Sequence, residues 1–161
     1  RLLSHCSSEG RNILFTLKNS GCAAERLAQE LRFRGEMALY LQEVSFRLVT
    51  DLESPYGQLD PDSVYCVMAV YNELLNNVLK HSGARAVEAV LVHRGGRLTL
   101  SVWDDGKGFE YDPAAPGRGS YGFGLIGEIA RASGAVFDVF SSPGKGTLAM
   151  ISLRPRLSPR R

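Results

Sequence analysis

Asn72-Glu73-Leu74-Leu75-Asn76-Asn77-Val78-Leu79-Lys80-His81 separates, on a helix, into an apolar back and a polar edge. At about 100° per residue, Glu73, Asn77 and Lys80 fall within roughly 60° of one another, while Val67, Met68, Tyr71, Leu74, Leu75 and Val78 fall on the other side. The helix must bury its back, and its edge then carries a carboxylate, a carboxamide and an ammonium in a row. Such groups orient a proton acceptor, ligate a hard cation and neutralise phosphate. Three polar residues alone are more often a solvated surface. What surrounds them in the chain reverses that weighting.

Working outward, Asp60-Pro61 supplies a cap and a first-turn proline for this helix, which is expected to run to about His81. Upstream, Val44 to Val49 alternates as a strand should, and Ser54-Pro55-Tyr56-Gly57 reads as a turn. Ala23 to about Gln42 reads as a helix despite Gly35, which removes about 1 kcal/mol of helix propensity. Leu2, Leu3, Ile13, Leu14 and Leu17 have loosely helical spacing that stops at Asn19-Ser20-Gly21. Downstream, strands at Ala86–His93 and Arg97–Trp103 meet at Gly95-Gly96 in the manner of a tight hairpin, leaving Asp104 at a strand end. Residues 109–121 lack any periodicity and read as a mobile loop. A helix from Leu125 to about Ser133, stopped by Gly134, precedes a last strand pair, Val136–Ser141 and Thr147–Leu153, around Pro143-Gly144-Lys145-Gly146. The expected fold class is α+β: a two-layer α/β sandwich with one mixed, largely antiparallel sheet and helices packed on one face.

Composition permits this and narrows the function. With 161 residues and 44% hydrophobic content, one domain with a real core is expected. A net charge of +2 and the lack of a basic stripe interleaved with aromatics argue against nucleic acid. Cys6, Cys22 and Cys66 are scattered, without Cys-x-x-Cys spacing, and read as reduced packing residues of a cytoplasmic protein. No apolar run reaches the length of a membrane span, so no membrane contact is expected of this piece, although its parent protein could be anchored. The start at Arg1 suggests a piece of something longer. The expected division is 1–21 as the end of a preceding dimerisation helix and linker, 22–154 as the main domain, and 155–161 as a basic tail.

Four boxes now stand in order: Glu73 and Asn77 four apart, Asp104-Asp105-Gly106-Lys107-Gly108, Gly122-Phe123-Gly124-Leu125, and Gly144-Lys145-Gly146-Thr147. This order resembles the gyrase, Hsp90, histidine kinase and MutL ATPase superfamily. The run from Glu73 to Ala84 resembles most the catalytic domain of a sensor histidine kinase that works with LuxR-type response regulators. The resemblance spans roughly residues 22–154 and implies the Bergerat-type ATP-binding fold, with ATP and Mg²⁺ as its ligands.

It further implies Glu73 as general base or water-orienting carboxylate, Asn77 as magnesium ligand and Lys80 as a phosphate contact. Asp104 would accept from the adenine amino group and so select adenine over guanine, with Gly106 and Gly108 allowing the ring to approach. Gly122, Gly124 and Leu125 would open a helix whose N–H groups face phosphate, after a lid at 109–121. Gly144, Gly146 and Thr147 would close the adenine pocket. The implied partners are a phosphoacceptor-histidine helix of the same protein, a LuxR-type response regulator and a second copy in a homodimer. Nothing around His5 resembles the acceptor box, so the accepting histidine is expected outside this chain.

Two competing motifs fail. Gly144-Lys145 lacks the Ser or Thr and the leading glycine of a phosphate-binding P-loop, since Gly146 and Val139 stand there. The dinucleotide fingerprints from Gly117 and from Gly122 lack a preceding apolar strand. Two other functions stay open on sequence: an anti-sigma-type serine kinase with the same boxes, and a non-catalytic nucleotide-responsive interaction module.

Overall fold

The computed structural model describes residues 22–53, 58–112 and 122–158. The expectations for residues 1–19, for the turn at 54–57 and for most of the 109–121 loop lie outside them. In chain order the elements are α1 (Ala24–Tyr40), β1 (Ser45–Leu52), β2 (Gln58–Leu59), α2 (Pro61–Asn77) with a π-helical turn (Val78–Ser82), β3 (Ala86–Arg94), β4 (Arg97–Asp104), α3 (Phe123–Ala132), β5 (Val136–Ser141), β6 (Thr147–Leu153) and β7 (Leu157–Ser158).

Five strands form one sheet in the order β1-β3-β4-β6-β5. Only the β1·β3 pair is parallel, with α2 in its crossover; the other neighbours are antiparallel. Gly95 and Gly96 both have positive φ, 57° and 69°, as a two-residue hairpin between β3 and β4 requires. Alternate residues, such as Val87, Ala89 and Leu91 or Leu98, Leu100 and Val102, are buried beneath the helices. The opposite face leaves Val49, Trp103, Val136 and Phe140 exposed. This is the expected two-layer sandwich.

The α2 back is as the periodicity predicts: Val67, Met68, Tyr71, Leu74, Leu75 and Val78 are buried. Asp60 caps its first turn, Oδ1 accepting from the Ser63 N–H at 3.1 Å and Oδ2 from the Ser63 hydroxyl at 2.6 Å. Oδ2 also accepts from the Arg156 N–H at 2.7 Å, which fastens the chain's last described stretch to this helix. Leu157–Ser158 then pairs with Gln58–Leu59, and Cys22 bridges Leu59. Two-residue strands carry no periodic signal, so this small second sheet was not expected.

Gly35, a weak point for a helix, has a packing reason. A Cβ there would overlap the Phe46 ring and lie 2.5 Å from the Tyr71 hydroxyl, which donates to the Leu31 carbonyl at 2.9 Å. Cys22 and Cys66 are buried free thiols, as expected of packing residues, and burial pushes the Cys22 pKa up to about 11.

Candidate functional site

Where α2 ends, β4 ends and β6 begins, a cavity of about 160 Å³ opens. Its walls include Asn77, Asp104, Gly108, Phe123 and Thr147, which draw on all four sequence boxes, together with Phe109. Asp104 and Thr147 face each other because they are register partners on adjacent strands β4 and β6.

Asp104 is a buried carboxylate, 6% exposed. Burial raises its pKa; the Gly106 N–H, donating to Oδ1 at 2.9 Å, opposes the rise, and the neighbouring Asp105 adds to it. Among the described residues Oδ2 has no hydrogen-bond partner, which leaves it to accept from a ligand. The adjacent Asp105 does a different job: its Oδ1 accepts from the Arg85 and Ala86 N–H groups, both at 2.8 Å, and pins β3 to this loop. Those N–H bonds lower its pKa.

Three of the box glycines are required by close packing. At Gly146, φ is +72° and a Cβ would overlap the Asp104 carbonyl oxygen; at Gly108, φ is +59° and a Cβ would overlap the Ser142 carbonyl. Gly106 is buried against Asp104 and the Ser82 carbonyl, each 2.6 Å from where a Cβ would stand. These three hold the two loops together beneath the cavity.

Asn77 closes the α-helical part of α2, and its Nδ2 is buried without a hydrogen-bond partner among the described residues. An unmet buried amide costs about 1–3 kcal/mol, so it marks a place where a ligand would complete the bonding. After it the helix widens into the π-helical turn, a feature frequent at functional sites. The wider turn changes the angular spacing, and the polar row does not continue to Lys80: Lys80 is exposed and outside the cavity lining, whereas His81 and Ser82 line it.

Glu73 lies one turn earlier, away from the cavity lining and against the start of α3. A Cβ on Gly122, whose φ is +75°, would overlap its carboxylate. Glu73 thus stands at the positive end of that helix. Gly124 and Leu125 are exposed on the first turn of α3, and Gly144 is open to solvent in its turn. These three are brought near the site but not into its walls.

Two features escaped the sequence reading. One is an aromatic cluster: Phe109 stacks on Phe123 with centroids 5.7 Å apart, Phe123 on Phe137 at 6.1 Å, and Tyr111 meets Phe109 and Phe123 edge-on. It joins the two stems that flank residues 113–121. The other is Ser141, whose hydroxyl accepts from the Phe109 N–H at 3.0 Å, donates to the Gly146 carbonyl at 2.9 Å and bonds Thr147 Oγ1 at 3.0 Å. The only sequence hint was its place at the end of the β5 strand.

The fold, the cavity and its boxes agree with the comparison to known proteins. Residues 66–157, more than half of the chain, match the family described as histidine kinase-, DNA gyrase B- and HSP90-like ATPase. The chain belongs to this family. Among its relatives, the sensor histidine kinase LiaS of Bacillus subtilis is 40% identical over 78 residues, 48% of this chain and 21% of the relative. The sensor protein VraS of Staphylococcus saprophyticus is 28% identical over 151 residues, 91% of this chain and 41% of the relative. The chain therefore spans less than half the length of these curated relatives.

Solved structures of the family share the fold. The histidine kinase domain of the Erythrobacter litoralis EL346 blue-light activated histidine kinase superposes with a TM-score of 0.60 at 19% identity, over 80% of this chain and 60% of that one. The catalytic domain of histidine kinase ThkA superposes with a TM-score of 0.62 at 13% identity, over 82% and 93%. No helix among the described residues is long and apolar enough to cross a membrane.

Proposed function

We propose that this chain is the ATP-binding catalytic domain of a two-component sensor histidine kinase, transferring the γ-phosphoryl group to a histidine outside it. The observation that carries the reading is the buried Asp104 carboxylate on the cavity wall, one oxygen engaged by Gly106 and the other without a partner among the described residues. Adenine presents an amino donor where guanine presents a carbonyl. An acceptor-only carboxylate binds the first and repels the second.

The phosphates would extend from this cavity towards α3, where unpaired N–H groups and the helix dipole favour anions. Gly122, Gly124 and Leu125 form that helix start, and Lys80 would reach phosphate with its flexible stem. Asn77 would offer its amide oxygen to Mg²⁺ after a half-turn about χ2. Among the described residues no three His, Cys, Asp or Glu side chains group to hold a metal. That suits an ion which shares one or two protein ligands with phosphate oxygens and water. Bound there, Mg²⁺ would neutralise charge developing on the phosphates. Glu73 would orient the incoming acceptor and hold its proton, with Gly106, Gly108, Gly144 and Gly146 keeping the backbone close to the ring. Phosphoryl transfer of this kind is mainly positioning, which is what a rigid sheet end and a capped helix provide.

The partners on this reading are the phosphoacceptor-histidine helix of the parent protein, its second copy in a homodimer, and a LuxR-type response regulator. The names of the relatives support the histidine kinase class, and the wording of residues 73–84 supports the regulator type. The Asp104→Ala variant should bind ATP roughly ten- to a hundredfold more weakly, the loss of a charged hydrogen bond. Wild-type affinity should also decline on acidification above the ordinary carboxylate range, because Asp104 takes up its proton early. Calorimetric titration with ATP and GTP checks both; equal affinity of the wild type for the two nucleotides would overturn the assignment.

A further inference from the structure

Ser141 sits at the end of β5, outside the four boxes, yet its hydroxyl is fully committed. A serine hydroxyl has one proton and two acceptor sites. The proton goes to the Gly146 carbonyl at 2.9 Å, and one acceptor site takes the Phe109 N–H at 3.0 Å. Its remaining contact, Thr147 Oγ1 at 3.0 Å, can then only be one in which Thr147 donates. The Thr147 proton is thereby turned away from the cavity, and what Thr147 shows to a ligand is lone pairs alone.

We infer that Ser141 is a positioning residue for nucleotide choice: by holding the Thr147 hydroxyl as an acceptor, it gives the base pocket a wall with no rotatable donor. This rests on the adenine-pocket reading and deepens it. Asp104, ionised, accepts only; Thr147 left to itself could rotate and donate to a carbonyl, offering a 6-oxopurine a partner. With Ser141 in place the Asp104 and Thr147 side chains both accept, and a 6-oxo oxygen set between them meets no side-chain donor from β4 or β6. Sites with fixed hydrogen-bond polarity reject mismatched ligands far better than apolar ones do.

The test compares ATP with ITP, which differs from it only at this edge of the base. Both are titrated calorimetrically into the full chain, as wild type, Ser141→Ala, Ser141→Thr, Thr147→Val and the Ser141→Ala/Thr147→Val double variant. Ser141→Ala should lower the ATP preference over ITP about tenfold, mostly by tighter ITP binding, and Ser141→Thr should retain it. On the Thr147→Val background Ser141→Ala should change the preference no further, because Ser141 acts through that hydroxyl. If Ser141→Ala does not fold, Ser141→Cys takes its place with the same expected drop.

Parallel weakening of both nucleotides, with the preference intact, would reduce Ser141 to a structural bond between loops and overturn the inference while leaving the adenine pocket standing. A further drop on the Thr147→Val background would overturn it as well. Wild type that does not prefer ATP would overturn the pocket reading itself, and the inference with it.

Discussion

The two ends of α2 are built on opposite rules. At the start, Asp60 engages both carboxylate oxygens, holding Ser63 and Arg156 in three hydrogen bonds. At the far end the helix widens into a π-helical turn and leaves the Asn77 amide nitrogen buried and unmatched among the described residues. One end is completed by the protein itself. The other is complete only when something else arrives. The comparison teaches where to look for function: a buried polar group left unmet on a cavity wall, as Asn77 Nδ2 is and His93 Nε2 is not, marks a site more sharply than its residue type does.

The largest effect is expected from removing the backbone freedom on which the open end depends. Gly146→Ala places a Cβ onto the Asp104 carbonyl oxygen at a left-handed φ, and should cost about 3 kcal/mol of stability. Urea denaturation measures it, and wild-type stability in this variant would show that the two loops are not locked together.

Breaking the closed end should cost less. Asp60→Ala removes the cap and is expected to lose about 1–2 kcal/mol while leaving ATP affinity unchanged. Burial works against the Asp60 charge, but the Ser63 and Arg156 bonds outweigh it and its pKa lies below the ordinary value. A depressed folded-state pKa adds stability above the unfolded-state pKa of about 4, and that stability is lost as pH falls through the folded value. The stability gap between variant and wild type should therefore close on acidification below about pH 4; a gap constant with pH would deny the carboxylate its role.

The smallest change sharpens the contrast most, because its sign is reversed. Asn77→Leu replaces the unmatched amide with an apolar group of similar size, and should stabilise the empty protein by about 0.5–1 kcal/mol. Magnesium-dependent ATP binding should fall at least about tenfold with the loss of a charge-assisted contact. Thermal melts with and without Mg-ATP separate the two effects. A variant that is less stable when empty would mean that Asn77 serves the fold.

Much of this was legible beforehand, and for definite reasons. Val67 through Val78 revealed the α2 back because burial imposes a period, and Gly95-Gly96 revealed a hairpin because the turn needs positive φ twice. Asp104, Gly106, Gly108, Gly146 and Thr147 stood out because their boxes follow one another in a family-like order, and at Gly108 and Gly146 a positive φ supplies the physical reason for the glycine. The π-helical turn left no such trace: an i→i+5 bond has no residue signature in Val78–Ser82, and so nothing in the sequence put His81 and Ser82 on the cavity wall. Ser141 was missed because Ser141 and Ser142 are alike in sequence, and only strand register puts the first beside Thr147. The pairing of β2 with β7 was missed because two residues cannot display a period.

The register pair of Asp104 and Thr147 has a further consequence for how the domain can be divided. Each lies in a different hairpin, β3–β4 for one and β5–β6 for the other, and the seam between β4 and β6 is where the cavity floor is made. Each hairpin is local and quick to close, whereas the seam joins distant parts of the chain. A fragment that keeps every residue up to β5 would retain Asn77, Asp104 and both aromatic stems, yet it would hold half a floor. The smallest piece of this chain that can enclose a base runs unbroken from α2 to β6.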